Sequence, residues 1–267
     1  MQKIILITGS TDGIGLETAK TLVADGHHVI VHGRNPAKVH DVEQRLIEMK
    51  SGKVESVIAD LSSLRAVKQM VVEVAERFGK LDVIINNAGI FATEHVDTED
   101  GLDVRFAVNT IAPYMLTKEL LPLLDNTGRI VNLSSAAQAP VNLDALMGNK
   151  SLNDGEAYAQ SKLALTMWSR LLGLQLKNVG PMMVSVNPKS FLGSKMVKDA
   201  YGIAGNDIGL GADILIRAAL SEEFSQAHGA YFDNDIEAFA EPHRDAMNDT
   251  KSQQVVDAIE AIINKLA

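Results

Sequence analysis

The chain has 267 residues, 46% of them apolar and 22% charged, with a net charge of −9, which fits a globular α/β protein with a sizeable core and makes a nucleic-acid backbone an unfavourable partner. It contains no cysteine, which excludes disulfides, thiolate metal sites and a cysteine nucleophile together. Its longest apolar runs, such as Ile4 to Ile7, are strand-sized and far short of the roughly 20 residues of a membrane span, and no signal-peptide pattern precedes the first strand, so a soluble cytoplasmic protein is expected.

The predicted elements alternate along the chain. "KIILI" reads as a buried strand ended by Gly9, and "GLETAKTLVADG" as a helix stopped by Gly26. "HVIVH" is the next strand, and "PAKVHDVEQRLIEMK" a helix with proline in its first turn. The strand "KVESVIAD" precedes a helix capped by serine and closed by glycine, "SSLRAVKQMVVEVAERFG". "LDVIINNAG" is a fourth strand and turn, and "TEDGLDVRFAVNTIAPYMLTKELLPLL" one long helical pattern. "GRIVNLSS" is a fifth strand, "EAYAQSKLALTMWSRLLGLQLK" a second long helix, and "PMMVSVNP" a sixth strand. Regularity is lower from Pro188 to Leu210, and "SQQVVDAIEAIINKLA" reads as a terminal helix. Strands alternating with helices predict parallel strands with right-handed crossovers. The expected fold is a single doubly wound Rossmann-type sheet of about seven strands with helices on both faces. No linker or repeat divides residues 1–267.

"TGSTDGIG" places Gly9, Gly13 and Gly15 at the first strand-to-helix turn. Glycines there let a pyrophosphate approach the backbone at a helix N-terminus and let the helix pack on the strand. A plain glycine-rich turn is the alternative. The second strand ends without the acid that would take a ribose 2′-hydroxyl; Arg34 stands there, and a guanidinium suits a 2′-phosphate. NADP(H) is therefore preferred and NAD(H) remains possible, with a solvated Arg34 as the other reading. Asp12 argues mildly against NADP, because its carboxylate would lie near the same phosphate. Asp60, at the end of the third strand, is placed to accept from the adenine amino group, or simply caps a helix.

"TGSTDGIG", "NNAG" at Asn86 to Gly89, Asn109, "IVNLSS" and "YAQSK" at Tyr158 to Lys162 occur in one order. By these motifs the chain resembles the short-chain dehydrogenase/reductase family over about residues 3 to 220. "TEDGLDVRFAVN", "SKLA" and the long stretch between serine and tyrosine resemble its retinol dehydrogenase and protochlorophyllide reductase branch. The resemblance implies Tyr158 as catalytic acid/base, Lys162 as its partner, Ser135 as the substrate-orienting hydroxyl with Ser134 as runner-up, and Asn109 as a relay residue. It implies a cofactor site of Gly9, Thr11, Asp12, Gly13, Ile14, Gly15, Arg34, Asp60, Leu61, Asn87, Ala88, Gly89, Pro188 and Ser194, together with Tyr158 and Lys162. "NNAG" would also stabilise the central sheet. The implied substrate is a small-molecule carbonyl or alcohol, with no metal, nucleic acid or membrane partner. The long helices of Asn109 and Tyr158 have apolar outer stripes, and the resemblance implies that they pair subunits into a homodimer or homotetramer.

Tyr158 and Lys162 are four residues apart and share a helix face. Asn153 and Glu156 make a capping pair just before them. A free tyrosine titrates near pH 10; an ammonium at about 4.5 Å favours its phenolate by roughly 3.7 kcal/mol at an effective dielectric of about 20. Pro113 lies four residues after Asn109 and lacks an amide hydrogen, so the Asn109 carbonyl loses its helical partner. That carbonyl would be free to hold a water linking Lys162 to solvent; a packing kink is the alternative. After the sixth strand "NPKSFLGSK" departs from the family pattern of Pro-Gly and a later threonine: Lys189 replaces the glycine and Ser194 stands for the threonine. Lys189 leaves room for a catalytically silent nucleotide-sensing protein of the same fold. For residues 190–207, with Phe191, Leu192, Met196, Val197, Tyr201 and Ile203, the resemblance implies a lid over the substrate, and the apolar side chains suggest an apolar or mixed one; a plain helix pair on the sheet is the alternative.

Overall fold

The computed structural model describes residues 1–265, apart from the side chains of residues 199–201, so the expected lid contact of the Tyr201 side chain lies outside the described residues. Eight strands form one sheet in the order β3-β2-β1-β4-β5-β6-β7-β8. They are β1 (Ile4–Ile7), β2 (His28–Gly33), β3 (Lys53–Ile58), β4 (Val83–Asn86), β5 (Arg129–Leu133), β6 (Met182–Asn187), β7 (Ala230–Asp233) and β8 (Ala238–Ala240). Strands β1 to β7 are parallel, and β8 is an added antiparallel edge strand that follows β7 through a short turn. The strand order reverses between β1 and β4, which opens a crevice at the carboxyl ends of those strands.

Register explains the two-sided core. Leu6 pairs with Ile30 and Ile84, Ile84 with Ile130, and Ile130 with Met183. Side chains alternate along each strand, so this row faces one layer and Ile5, Ile7, Val29, Val31, Ile85, Val131 and Val184 face the other. The second layer holds α1 (Gly13–Ala24), α2 (Pro36–Ile47) and α9 (Gly209–Leu220). The first holds α3 (Leu64–Phe78), α4 (Val104–Phe106), α5 (Ala112–Leu120), α6 (Leu143–Leu146), α7 (Asp154–Leu176) and α10 (Asp249–Lys265), while α8 (Lys195–Tyr201) lies beside the crevice.

The expected caps form at Ser63 and Asn153, which accept from the backbone amides of Ala66 and Glu156, and Asn35, an unexpected cap, accepts from Lys38 N. The long pattern expected from Thr98 is not one helix. Asp103 caps a start at Val104, a π turn spans Ala107–Ile111, and α5 begins at Ala112. In that turn the Ala112 amide reaches back to Ala107 O. Pro113 has no hydrogen to give Asn109 O, so a regular α-helical ladder cannot run through this segment.

Every residue from Gln160 to Ser169 is buried, although half of a surface helix would normally face water. The second cover is α10, whose Val255, Val256, Ile259 and Ile262 join the core that holds Trp168 and Leu165. Glu260 accepts from Tyr114 and pairs with Lys118 of α5, while Tyr114 packs edge-on against Trp168 at 5.5 Å. The apolar stripe that the sequence offers to a partner subunit is thus largely covered within the chain, and Trp168 is core.

Candidate active site

The glycine turn is set by contacts as much as by backbone freedom. Gly9 has φ +64°, and a Cβ there would lie 2.8 Å from Ala88 Cα; one on Gly15 would meet Asn87 Nδ2 at 2.4 Å. These two glycines let β1, α1 and the end of β4 close on one another. Gly13, at φ +59°, is less tightly packed: an added Cβ would touch Ile208 Cδ1 at 3.8 Å and Ser194 Cβ at 4.0 Å. Asp12 caps α1 by accepting from Gly13 N at 2.8 Å, and the first-turn amides that follow have no intrahelical acceptor. Asn87 spends its side-chain amide on Thr8 O and Gly9 O. It therefore braces the turn from behind.

His32 also holds this turn. Its Nδ1 accepts from Gly9 N at 3.1 Å and its Nε2 lies 3.2 Å from Ala59 O. The Gly9 donor fixes the neutral tautomer, with Nε2–H donating to Ala59. Burial lowers the His32 pKa from 6.5 to about 4, against the smaller opposing effects of Ala59 O and Asp60.

A cleft of about 530 Å³ runs along the carboxyl ends of the strands. Its wall includes Gly9, Thr11, Asp12, Gly13, Ile14, Arg34, Asp60, Leu61, Asn87, Ala88, Gly89, Ser135, Tyr158, Lys162, Pro188 and Ser194. Of the expected site residues, Gly15 and Asn109 stand behind this wall. Arg34 is exposed, and so is Lys38, one helical turn further on and in the same wall. The sequence reading passed over Lys38, although "RNPAK" carries a second cation four residues after the first. Asp60 accepts from Ser62 N and Ser62 Oγ through one oxygen. Ser63 caps α3, and Ser194 caps α8 by accepting from Val197 N.

At the other end, Lys162 is 3% exposed and donates to Leu133 O at 2.7 Å. Its ammonium lies 5.8 Å from the Tyr158 ring centre. Desolvation lowers the Lys162 pKa from 10.5 to about 8. Phe91, which sequence reasoning missed, packs edge-on against Tyr158 at 5.0 Å. Asn109 grips the Ile90 backbone, accepting from Ile90 N and donating to Ile90 O, and also donates to Ser161 Oγ. A Cβ on Gly89 would lie 3.5 Å from both Asn109 Oδ1 and Lys162 Nζ. Behind these groups Asn86 donates to Thr117 and Asn132, and Asn132 to Ser169. This buried chain ties α5 and α7 to the sheet.

The two serines part company. Ser134 is buried, sharing a hydrogen bond with Thr166 Oγ1 at 2.7 Å. Ser135 is partly exposed in the cleft, and its Oγ accepts from Ala137 N at 3.1 Å, which leaves its own hydrogen available. Lys189 has φ +119°, a conformation that favours glycine. Its ammonium turns to Asn234 O at 3.5 Å and Glu237 at 3.9 Å. Phe191, Leu192, Met196 and Val197 line the same cleft as Phe91, whereas Ile203 is exposed. Among the described residues no cluster of three or more metal-ligating side chains occurs, and no helix is long and apolar enough to cross a membrane.

The family model of the short chain dehydrogenases matches residues 3–201. The chain belongs to the short-chain dehydrogenase family. Human polyprenol dehydrogenase is 32% identical over 256 residues, covering 88% of this chain and 78% of that protein. Human retinol dehydrogenase 14 is 30% identical over 294 residues, covering 99% and 87%. These relatives put this short-chain dehydrogenase in the retinol dehydrogenase-like branch. Among solved structures, an uncharacterized protein from Mycobacterium paratuberculosis superposes with a TM-score of 0.81 at 25% identity, over 98% of this chain and 94% of that one. A Burkholderia cenocepacia short chain dehydrogenase in complex with NADP gives a TM-score of 0.69 at 25% identity, over 87% and 95%.

Proposed function

We propose that the protein is an NADP(H)-dependent oxidoreductase that interconverts a carbonyl compound and its alcohol, with Tyr158 as the acid/base. The observation that carries this reading is that Ser135, Tyr158 and Lys162 share one cleft with the glycine turn. The turn fits a dinucleotide: Gly13 opens α1 and lines the cleft, so the helix N-terminus is at the cleft wall, where an anion is favoured. Arg34 and Lys38 are both in the cleft wall and supply cations suited to a 2′-phosphate, and the NADP complex of the Burkholderia relative supports the same choice.

When bound, the nicotinamide supplies or accepts the hydride. Tyr158 gives a proton to the substrate oxygen in reduction and takes it back in oxidation. The buried Lys162 charge favours the phenolate form. Ser135 donates its free hydrogen to the oxygen as negative charge develops. Asn109 holds the Ile90 backbone beside these groups, and its own main-chain carbonyl is the acceptor for a relay water. Phe91, Phe191, Met196 and Val197 give the substrate end an apolar wall, and the lid at 190–207 would close over it. Relatives named for polyprenol and retinol agree with an apolar alcohol or carbonyl. The NADP(H) preference favours carbonyl reduction.

Lys189, on which the catalytically silent alternative rests, turns its ammonium to Asn234 and Glu237. Side-by-side fluorescence titrations with NADPH and NADH test the proposal. Tighter NADPH binding, weakened in Arg34→Ala and further in the Arg34→Ala/Lys38→Ala pair, is expected. Tighter NADH binding would refute the phosphate assignment. Binding without turnover over a broad carbonyl panel would refute the enzyme reading.

A further inference from the structure

Four buried polar residues lie side by side across the sheet. Asn86 pairs with Asn132, Asn132 with Ser185, and Ser185 with Tyr231. The row sits two residues beyond Ile84, Ile130 and Met183, so it faces the layer that holds α7. Asn86 and Asn132 direct their amides within this layer, to Thr117 and Ser169. Tyr231, at the β7 end of the row, reaches instead towards the active site. Its hydroxyl donates to the main-chain carbonyl of Ser135 at 3.2 Å. Burial, reinforced by Asp233 and Asp235, holds its pKa above the ordinary tyrosine range, so the hydroxyl keeps the hydrogen it donates. Tyr231 is not part of the cleft wall, so it bears on the chemistry only through what it holds.

Ser135 stands where such a partner matters. Strand β5 ends at Leu133, and the last bond from it to β6 is Ser134 N donating to Val186 O at 2.8 Å. Ser135 is one residue further on, outside the ladder. Gln138 Nε2 supplies a second donor to the Ser135 carbonyl at 2.9 Å, so both lone pairs of that oxygen are engaged. The Ser135 Oγ is tied separately, by accepting from Ala137 N. Main chain and side chain are thus both held, which narrows the directions open to the Oγ hydrogen, and a reacting group works best when its neighbours lock its geometry.

We propose that Tyr231 is a positioning residue for the reaction: together with Gln138 it holds the Ser135 carbonyl and so aims the Ser135 hydroxyl at the substrate oxygen. The inference rests on the role proposed above for Ser135.

Tyr231→Phe keeps the ring and removes only the hydroxyl. In the protein without cofactor or substrate, the Ser135 carbonyl carbon-13 resonance moves upfield in this variant, as a carbonyl does on losing a donor. With the carbonyl compound that the wild type reduces fastest, kcat falls by about fivefold to tenfold, while NADPH affinity in the fluorescence titration is unchanged. Gln138→Met, at a partly exposed position, is the second variant and gives a loss of the same kind. Neither substitution lowers kcat further in a Ser135→Ala background, because the effect passes through the Ser135 hydroxyl. A tyrosine that only filled the core would cost the same factor in both backgrounds. An unmoved resonance, an unchanged kcat, or losses that multiply in the double variants would overturn the proposal. Full kcat in Ser135→Ala would overturn the Ser135 role and this proposal with it. A loss of about 100-fold in Ser135→Ala, beside full kcat in Tyr231→Phe and Gln138→Met, would overturn this proposal alone.

Discussion

The amide of Gly9 donates to the imidazole of His32 across 3.1 Å, so the nucleotide turn depends on a histidine that must stay neutral. Burial takes its pKa from 6.5 to about 4. Above pH 6.5 the folded and unfolded chains both keep the ring neutral. As pH falls from 6.5 towards 4 the unfolded chain takes up the proton first, so stability is lost, by roughly 3 kcal/mol for a difference of this size. Denaturant unfolding at stepped pH should show this slope in the wild type. His32→Gln is expected to be less stable at pH 7 but to lose less on acidification; parallel slopes would refute the assignment.

Lys162 is expected to trade stability for chemistry. Its pKa falls from 10.5 to about 8, so the folded chain carries a costly buried ammonium at neutral pH. The unfolded chain holds that proton more tightly, so this cost is relieved as pH rises from about 8 to 10.5. Lys162→Met removes a penalty of up to roughly 3 kcal/mol, less about 1 kcal/mol for the hydrogen bond to Leu133. The variant should melt at a higher temperature at pH 7, while its kcat falls by about 100-fold or more. A lower melting temperature would mean that the Leu133 contact outweighs burial.

The adjacent serines should separate by assay. Ser135→Ala is expected to lower kcat by about 100-fold with little change in stability. Ser134→Ala loses its bond to Thr166 and should cost about 1 kcal/mol of stability, with the smaller kinetic effect. Tyr158→Phe should lower kcat by about 100-fold or more while NADPH still binds. Comparable kinetic losses in both serine variants would return the catalytic assignment to Ser134.

Lys189 pays for its backbone. At φ +119° a side chain is strained, and Lys189→Gly should stabilise the protein by about 1 kcal/mol, net of the exposed pairing with Glu237. Chemical denaturation reads this directly, and a destabilised variant would show that the contacts with Asn234 and Glu237 outweigh the strain.

Local chemistry made much of this legible in the sequence. Periodicity, the cap at Ser63 and the first-turn proline Pro36 located helices, and strands alternating with helices predicted cover on both faces of the sheet. The motif residues named by resemblance line one cleft, except Gly15 and Asn109, which stand behind its wall. What stayed hidden was set by distant contacts. The role of His32 depends on Gly9 and Ala59, that of Phe91 on the ring of Tyr158. The break near Asn109 comes from a π turn whose only local sign was Pro113. The eighth strand is three residues long and forms only because β7 offers it an edge.

The cover that α10 gives α7 has a consequence for how the protein meets dilution. Where a neighbouring subunit buttresses the helix of the acid/base tyrosine, that helix loses support as concentration drops. Here Val255, Ile259 and Glu260 supply support from the same polypeptide. The support is therefore unimolecular: the tyrosine helix keeps its brace at nanomolar concentration, and cutting the chain before Asp249 would turn that autonomy into a need for association.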